Sequence, residues 1–200
     1  MGAKVARDNR RTRLLNAARE VFSQKGFHAA TVDDITKAAG VARGTFYLYF
    51  AEKPAIFYEL MQSFFELVTD AGLAISQDVD TKEAYFIRVQ EGARRLAHLF
   101  RDNRDLVRLA YRESMGMDER LERMVRNFYR RLAEVEAQNI RLGVSLGLLR
   151  DDLDPMLVAY AHVGMMERVF LQWQFDRSFP PVSDLEIQLV QLAYFGLKKQ

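Results

Sequence analysis

Thr31-Val-Asp-Asp-Ile-Thr-Lys-Ala-Ala-Gly-Val-Ala-Arg-Gly-Thr-Phe-Tyr-Leu-Tyr-Phe50 is the stretch whose reading decides the fold. Thr31 followed by Asp34 is a capping-box-like start, and Asp33 and Asp34 place two carboxylates against the positive end of the helix that follows. Ile35, Ala38 and Ala39 supply its buried side, and Gly40 ends it, because glycine tolerates the left-handed conformation of a helix stop. A shorter helix is expected from about Ala42 to Phe50, with Val41, Phe46 and Phe50 as core contacts. Two helices joined by a tight glycine-containing turn are the helix-turn-helix arrangement, in which the second helix enters the major groove of DNA. Its outer side suits that task. Arg43 can contact guanine through two hydrogen bonds, and Thr45 can bond a base edge or meet a thymine methyl. Gly44 removes a side chain where a backbone would come close. Tyr47 and Tyr49 offer hydroxyls to phosphates, while Thr31, the first amides of its helix and Lys53 can meet phosphates too.

Outward from this segment, nearly everything reads as helix. From Arg11, apolar residues recur at Leu14, Leu15, Ala18, Val21 and Phe22 on one helical face, with Gly26 as the stop. Lys53-Pro54 opens a fourth helix that should end near Gly72. Further helices are expected at about residues 81–101, 106–114, 118–146 and 155–175, the last capped by Asp154 ahead of Pro155. Ser183 and Glu186 make a capping box for a final helix. The expectation is an all-α chain of about nine helices. Residues 1–54 form a three-helix DNA-binding domain with a basic arm at 1–10, and residues 55–200 form a helical body.

Composition narrows the function. The chain has 200 residues, 49% of them apolar and 28% charged, enough to bury a core. It contains no cysteine, which excludes disulfides, Cys-ligated metal and a thiol nucleophile. No HExxH or Glu-x-x-His pair is present, so no metal site is expected, and no cofactor either. No GxGxxG, P-loop or nucleophile elbow argues for an enzyme. Residues 1–54 hold ten Lys/Arg against five Asp/Glu, and residues 55–200 hold nineteen against twenty-two. A basic first quarter on a mildly acidic body points to an anionic partner for that quarter alone. The basic arm could follow the adjacent DNA backbone or minor groove. No apolar run follows the basic start and no stretch suits a membrane span, so a cytoplasmic protein without membrane contact is expected.

Residues 31–50 with Lys53, and Ala17–Phe27 before them, closely resemble the DNA-binding domain of the tetracycline-repressor (TetR) family of transcriptional regulators. The resemblance covers about residues 10–60. It implies a homodimer on a palindromic double-stranded DNA operator, usually repressing and released by a small molecule. The DNA contacts it implies are Thr31, Ala42, Arg43, Gly44, Thr45, Tyr47, Tyr49 and Lys53. Ala42 stands where many members carry a phosphate-bonding Ser, so one contact is missing. Leu48-Tyr49 and Glu52-Lys53-Pro54 also depart from the common pattern.

The body is rich in aromatic and methionine side chains, a lining suited to an apolar or aromatic effector. The candidate ligand residues are Phe64, Phe86, His98, Tyr111, Met115, Phe128, Met166 and Trp173, although helical spacing makes each equally suited to a core. By analogy with the family, the last two helices form the dimer seam, with Tyr160, Gly164, Met165, Ile187, Val190, Gln191 and Tyr194 as members. An intramolecular core is the alternative for these. The competing functions are an all-α carrier or enzyme, and a constitutive architectural DNA-binding protein with no effector.

Overall fold

The structure is a computed structural model. It describes residues 2–73, 79, 81–114, 118–176, 178, 180, 185 and 188–193, with the side chains of 2–8 and 114 excepted. Eight helices can be bounded: α1 (Gly2–Ala29), α2 (Val32–Ala39), α3 (Arg43–Tyr47), α4 (Lys53–Leu73), α5 (Lys82–Asp102), α6 (Arg104–Ser114), α7 (Glu119–Ser145) and α8 (Pro155–Phe175). Residues 188–193 are also helical, and no strand occurs among the described residues. The all-α expectation holds. The 183–186 capping box lies outside the described residues.

The helix punctuation follows the local chemistry. Gly26, expected to stop α1, instead kinks it at φ 81°, and helix resumes to Ala29. The backbone of the basic arm is the beginning of α1, so that helix starts well before Arg11. Thr31 caps α2 in a complete capping box: its hydroxyl accepts from the Asp34 amide, and the Asp34 carboxylate accepts from the Thr31 amide. Gly40 ends α2 in the left-handed conformation at φ 62°. The α3 helix is only five residues, shorter than expected, and Tyr49 and Phe50 close onto the carbonyl of Phe46. Asp154 caps α8 by accepting from the Leu157 amide at 2.8 Å.

The chain forms two compact units. The first comprises residues 1–64 and 105–122, the second residues 65–104 and 123–200. The sequence division at residue 54 does not follow these units, because α6 and the first turn of α7 pack with the N-terminal helices. In the first unit Leu14, Phe22, Ile35, Phe46, Ile56, Phe57, Met61, Leu109 and Leu121 are fully buried. Phe57 meets Phe22 and Phe27 edge-on, at ring-centre distances of 5.5 and 4.9 Å. In the second unit Tyr85, Val89, Ala133, Ala137, Ile140, Leu149 and Ala159 form one buried cluster, with Val190 packed against it. Ala97, Phe170, Leu185 and Leu189 form another, with Met165, Met166 and Trp173 against it.

Candidate nucleic-acid interface

The two adjacent carboxylates at the start of α2 have separate tasks. Asp34 is consumed by capping: it takes the Thr31 amide at 3.0 Å, the Thr31 hydroxyl at 2.9 Å and the Lys25 ammonium at 2.6 Å. These bonds, that of Lys25 first, hold its carboxyl down from 3.8 to about 2. Asp33 reaches across the turn to α3, and its two oxygens both accept from Nη1 of Arg43 at 2.8 Å.

Around α3, polar and aromatic side chains alternate with the core. Arg43, Gly44 and Tyr47 are exposed, Thr45 and Tyr49 half-buried, and Phe46 and Phe50 buried. Ala42 is the exposed N-cap of α3 and makes no side-chain cap bond. A Cβ added at Gly44 would meet nothing within 4 Å, so nothing in the chain itself demands glycine there. Thr31 is exposed, although its hydroxyl already serves the capping box.

Lys53 is engaged within the first unit. Its ammonium donates to the carbonyls of Phe27 at 2.7 Å, Ala30 at 2.8 Å and His28 at 3.3 Å, and lies 4.4 Å from the Phe27 ring centre. A lysine has three N–H donors, and these three carbonyls match them. The first residue of α4 thus clamps the end of α1, and burial pushes the Lys53 pKa down. Two cations at the edge of the expected arm are also engaged within the unit. Arg13 donates to the Ala39 carbonyl at 2.6 Å, and Arg11 pairs with Glu59.

Sequence reasoning missed three features. In the sequence Asp33 reads only as a helix-end charge. Leu48 is 72% exposed beside Tyr47, and the Phe46/Phe50 spacing could have signalled it, since Leu48 falls between two core positions. The third is α6, each end of which grips α1. Arg19 binds Asp105 through two 2.6 Å bonds, from Nε and Nη2, and Ser23 adds a third contact at 3.3 Å. At the other end the buried Glu113 accepts from the Phe27 amide at 3.2 Å and from Arg112 at 3.1 Å, while Arg112 donates to the Phe22 carbonyl at 3.1 Å.

The expected ligand residues are distributed over both units. Phe64 and Tyr111 belong to the first unit, and Phe86, His98, Phe128, Met166 and Trp173 to the second. Met166 and Trp173 pack against the same cluster. Phe128 stacks on Phe65 at 4.4 Å, and Phe86 lies edge-on to Tyr85 and is 38% exposed. His98 is exposed and meets Arg101 at 2.7 Å. Met115 lies outside the described residues. The proposed seam divides too. Tyr160, Gly164 and Gln191 face outward, whereas Met165 and Val190 pack inward. Ile187 and Tyr194 lie outside the described residues. Among the described residues there is no cluster of three or more His, Cys, Asp or Glu that could hold a metal, and no helix long and apolar enough to cross a membrane.

A capped α2, a tight turn and a short α3 with a polar outer face define a helix-turn-helix DNA-binding protein. Comparison with known proteins narrows the class. Residues 14–60 match the family described as "Bacterial regulatory proteins, tetR family". The uncharacterized HTH-type transcriptional regulator YdgC of Bacillus subtilis is 30% identical over 189 residues, covering 94% of this chain and 92% of YdgC. Among solved structures, FadR of Bacillus subtilis in complex with stearoyl-CoA superposes with a TM-score of 0.77 at 21% identity, covering 93% of this chain and 98% of that one. A regulator from Saccharomonospora viridis in complex with choline superposes at 0.79 with 20% identity, covering 96% and 100%. The chain belongs to the tetR family of bacterial transcription regulators and is not an enzyme.

Proposed function

We propose that this protein is a homodimeric, cytoplasmic repressor that reads an inverted-repeat operator through α3 and is released by a small molecule bound in the helical body. The observation that carries the DNA-reading part is the outward row Arg43, Gly44, Tyr47, set on a framework whose own hydrogen bonds are satisfied by Thr31, Asp34 and Lys53. Arg43 and Thr45 read base edges. Tyr47, Tyr49, Thr31 and the backbone at Ala42 and Gly44 meet the sugar-phosphate chain. Lys53 serves the interface by fixing α1 and the start of α2.

The dimer rests on α8. Leu157, Tyr160, Gly164, Leu171 and Phe175 follow helical spacing, and all but the half-buried Leu171 are exposed. Leu157 is 68% and Phe175 58% exposed, an apolar stripe that a twofold partner would cover. Leu192 in the last helical stretch is 64% exposed and extends the apolar surface. The effector class is apolar or amphipathic, in keeping with the Met166 and Trp173 cluster and with the stearoyl-CoA bound by the FadR neighbour.

The test is selection from a random duplex library at physiological salt, with wild type and Arg43→Ala in parallel. An enriched inverted repeat that changes with the mutation supports the reading. Salt-sensitive binding with no enriched sequence would overturn it in favour of an architectural protein.

A further inference from the structure

Asp33 sits one residue before the cap-forming Asp34, yet it takes no part in the capping box. Its carboxylate crosses the turn, and both of its oxygens accept from Arg43 Nη1 at 2.8 Å. The pair is open to water, with side-chain exposures of 59% for Arg43 and 64% for Asp33. An exposed pair of this kind adds little to stability. Its consequence is therefore geometric.

A guanidinium carries two parallel donor forks. One joins Nη1 to Nη2, and the other joins Nε to Nη2. Asp33 occupies Nη1 and so blocks the first fork. On the second, Nε has no partner among the described residues, and Nη2 has only a long 3.5 Å approach to the Tyr47 hydroxyl. That fork has the spacing that pairs with O6 and N7 of guanine. A free arginine must freeze several rotatable bonds to present it, and long side chains lose much rotamer freedom when fixed. Anchoring one nitrogen to α2 bears part of that cost before DNA arrives. It also cancels a carboxylate charge that would otherwise face phosphates.

We propose that Asp33 is a positioning residue for sequence reading: it holds Arg43 by Nη1 so that the Nε/Nη2 edge is presented to a guanine. This rests on the base-reading role of Arg43 proposed above. Asp33 touches no base. It acts in two opposite senses, sharpening base preference while lowering affinity for DNA of any sequence.

The experiment is the same library selection with five proteins: wild type, Arg43→Ala, Asp33→Ala, Asp33→Asn, and the double variant Asp33→Ala/Arg43→Ala. Asp33→Ala is expected to weaken preference at the half-site position that Arg43→Ala erases, by about three- to tenfold, a part of what a full bidentate contact discriminates. Preferences at other positions stay as in wild type, and binding to an unrelated duplex tightens. Asp33→Asn keeps one acceptor and falls between. In the Arg43→Ala background, removing Asp33 changes no base preference. A mere loss of folding is excluded by unfolding midpoints, which an exposed side chain leaves close to wild type, and it could not lower one position while raising general affinity. The proposal is overturned if Asp33→Ala keeps the wild-type preference, or if it shifts that preference equally with and without Arg43. If wild type itself enriches no sequence, the operator reading falls and this proposal with it. If wild type and Arg43→Ala differ while the Asp33 variants match wild type, the operator reading stands and only this proposal falls.

Discussion

Gly143 in α7 and Gly164 in α8 both lie inside long helices, and the same substitution should act on them in opposite directions. In a helix interior, alanine is favoured over glycine by about 0.8–1 kcal/mol. At Gly143 a Cβ would stand 2.6 Å from the Tyr85 hydroxyl and 2.7 and 2.8 Å from two carbons of Leu149, where unstrained contacts need roughly 3.5–4 Å. Neither neighbour can yield easily. Tyr85 and Leu149 are 1% and 2% exposed, and the Tyr85 hydroxyl donates to the Asn139 carbonyl at 3.1 Å. Overpacking costs about 1–3 kcal/mol, and loss of the tyrosine hydrogen bond adds about 0.5–1.5 kcal/mol. The propensity gain offsets about one. Gly143→Ala should therefore destabilise by about 1–3 kcal/mol. At Gly164 a Cβ meets nothing within 4 Å, so Gly164→Ala should stabilise the isolated chain by up to about 1 kcal/mol. If α8 is the dimer seam, the same methyl intrudes between partner helices and weakens the dimer. Urea unfolding at several protein concentrations, with sedimentation to follow assembly, separates these effects. Gly143→Ala should lower the midpoint at every concentration. Gly164→Ala should raise it at the lowest concentration and reduce its dependence on concentration. A neutral Gly143→Ala would refute the packing argument. A Gly164→Ala protein that dimerises as wild type would refute α8 as the seam.

Lys53→Ala leaves three carbonyls without their cationic donor and should cost about 1–2 kcal/mol, since hydrogen bonds to charged groups are worth about 1.5–3 kcal/mol and water can replace part of this one. The slope of log affinity against log salt should stay as in wild type. A fall of about 0.9 would mean that Lys53 neutralises a phosphate instead. Glu113→Ala removes the acceptor of the Phe27 amide, and a buried donor left unsatisfied costs about 1–3 kcal/mol. Thermal unfolding should fall by several degrees, with amide exchange at Phe27 quickened. Asp34 and Asp105 both have carboxyls held below their ordinary value. Asp34 is at about 2, chiefly through Lys25 and Thr31. At Asp105 burial pushes the pKa up, but the Arg19 pair outweighs it. Depressed carboxyls contribute stability that is fully present above the unfolded-state value near 4 and is lost as pH falls toward 2. The urea midpoint should drop across that window, and less so in Asp34→Asn. An equal drop in that variant would show that other carboxylates govern it.

Local chemistry made the helix-turn-helix legible. Thr31, Asp34, Gly40 and the Phe46/Phe50 pair each act through neighbours within a few residues, so the chain spells them out. The start of α8 was readable for the same reason, through the Asp154 cap. What escaped reading depends on residues far apart in the chain. Nothing near Lys53 tells that it will meet carbonyls more than twenty residues earlier. Nothing near Phe86 or His98 tells that they lie on the outside of α5. Aromatic spacing alone gives a helix face but not the neighbour that covers it.

The placement of α6 has a consequence for how a signal could reach the DNA-reading helices. Asp105 and Glu113 lie at opposite ends of α6, and each holds a different turn of α1, at Arg19 and at Phe27. A rigid helix held at both ends cannot rotate or slide against α1 without breaking one grip. The Phe27 end is the more demanding, because Glu113 is only 6% exposed and its loss strands a buried amide. That same turn of α1 carries Gly26, the one residue of α1 with non-helical backbone angles, and supplies two of the three carbonyls bound by Lys53. The end of α1 is thus a shared node for α6, for α4 through Lys53, and for the entry into α2. If the chain is released by an effector as proposed, one that favours a different setting of α6 would have to supply, as differential affinity between the two states, the free energy of these bonds. Weakening the Asp105 grip alone, by Asp105→Asn, should lower that requirement and leave the protein responsive to less effector, provided the Glu113 node still holds the fold together.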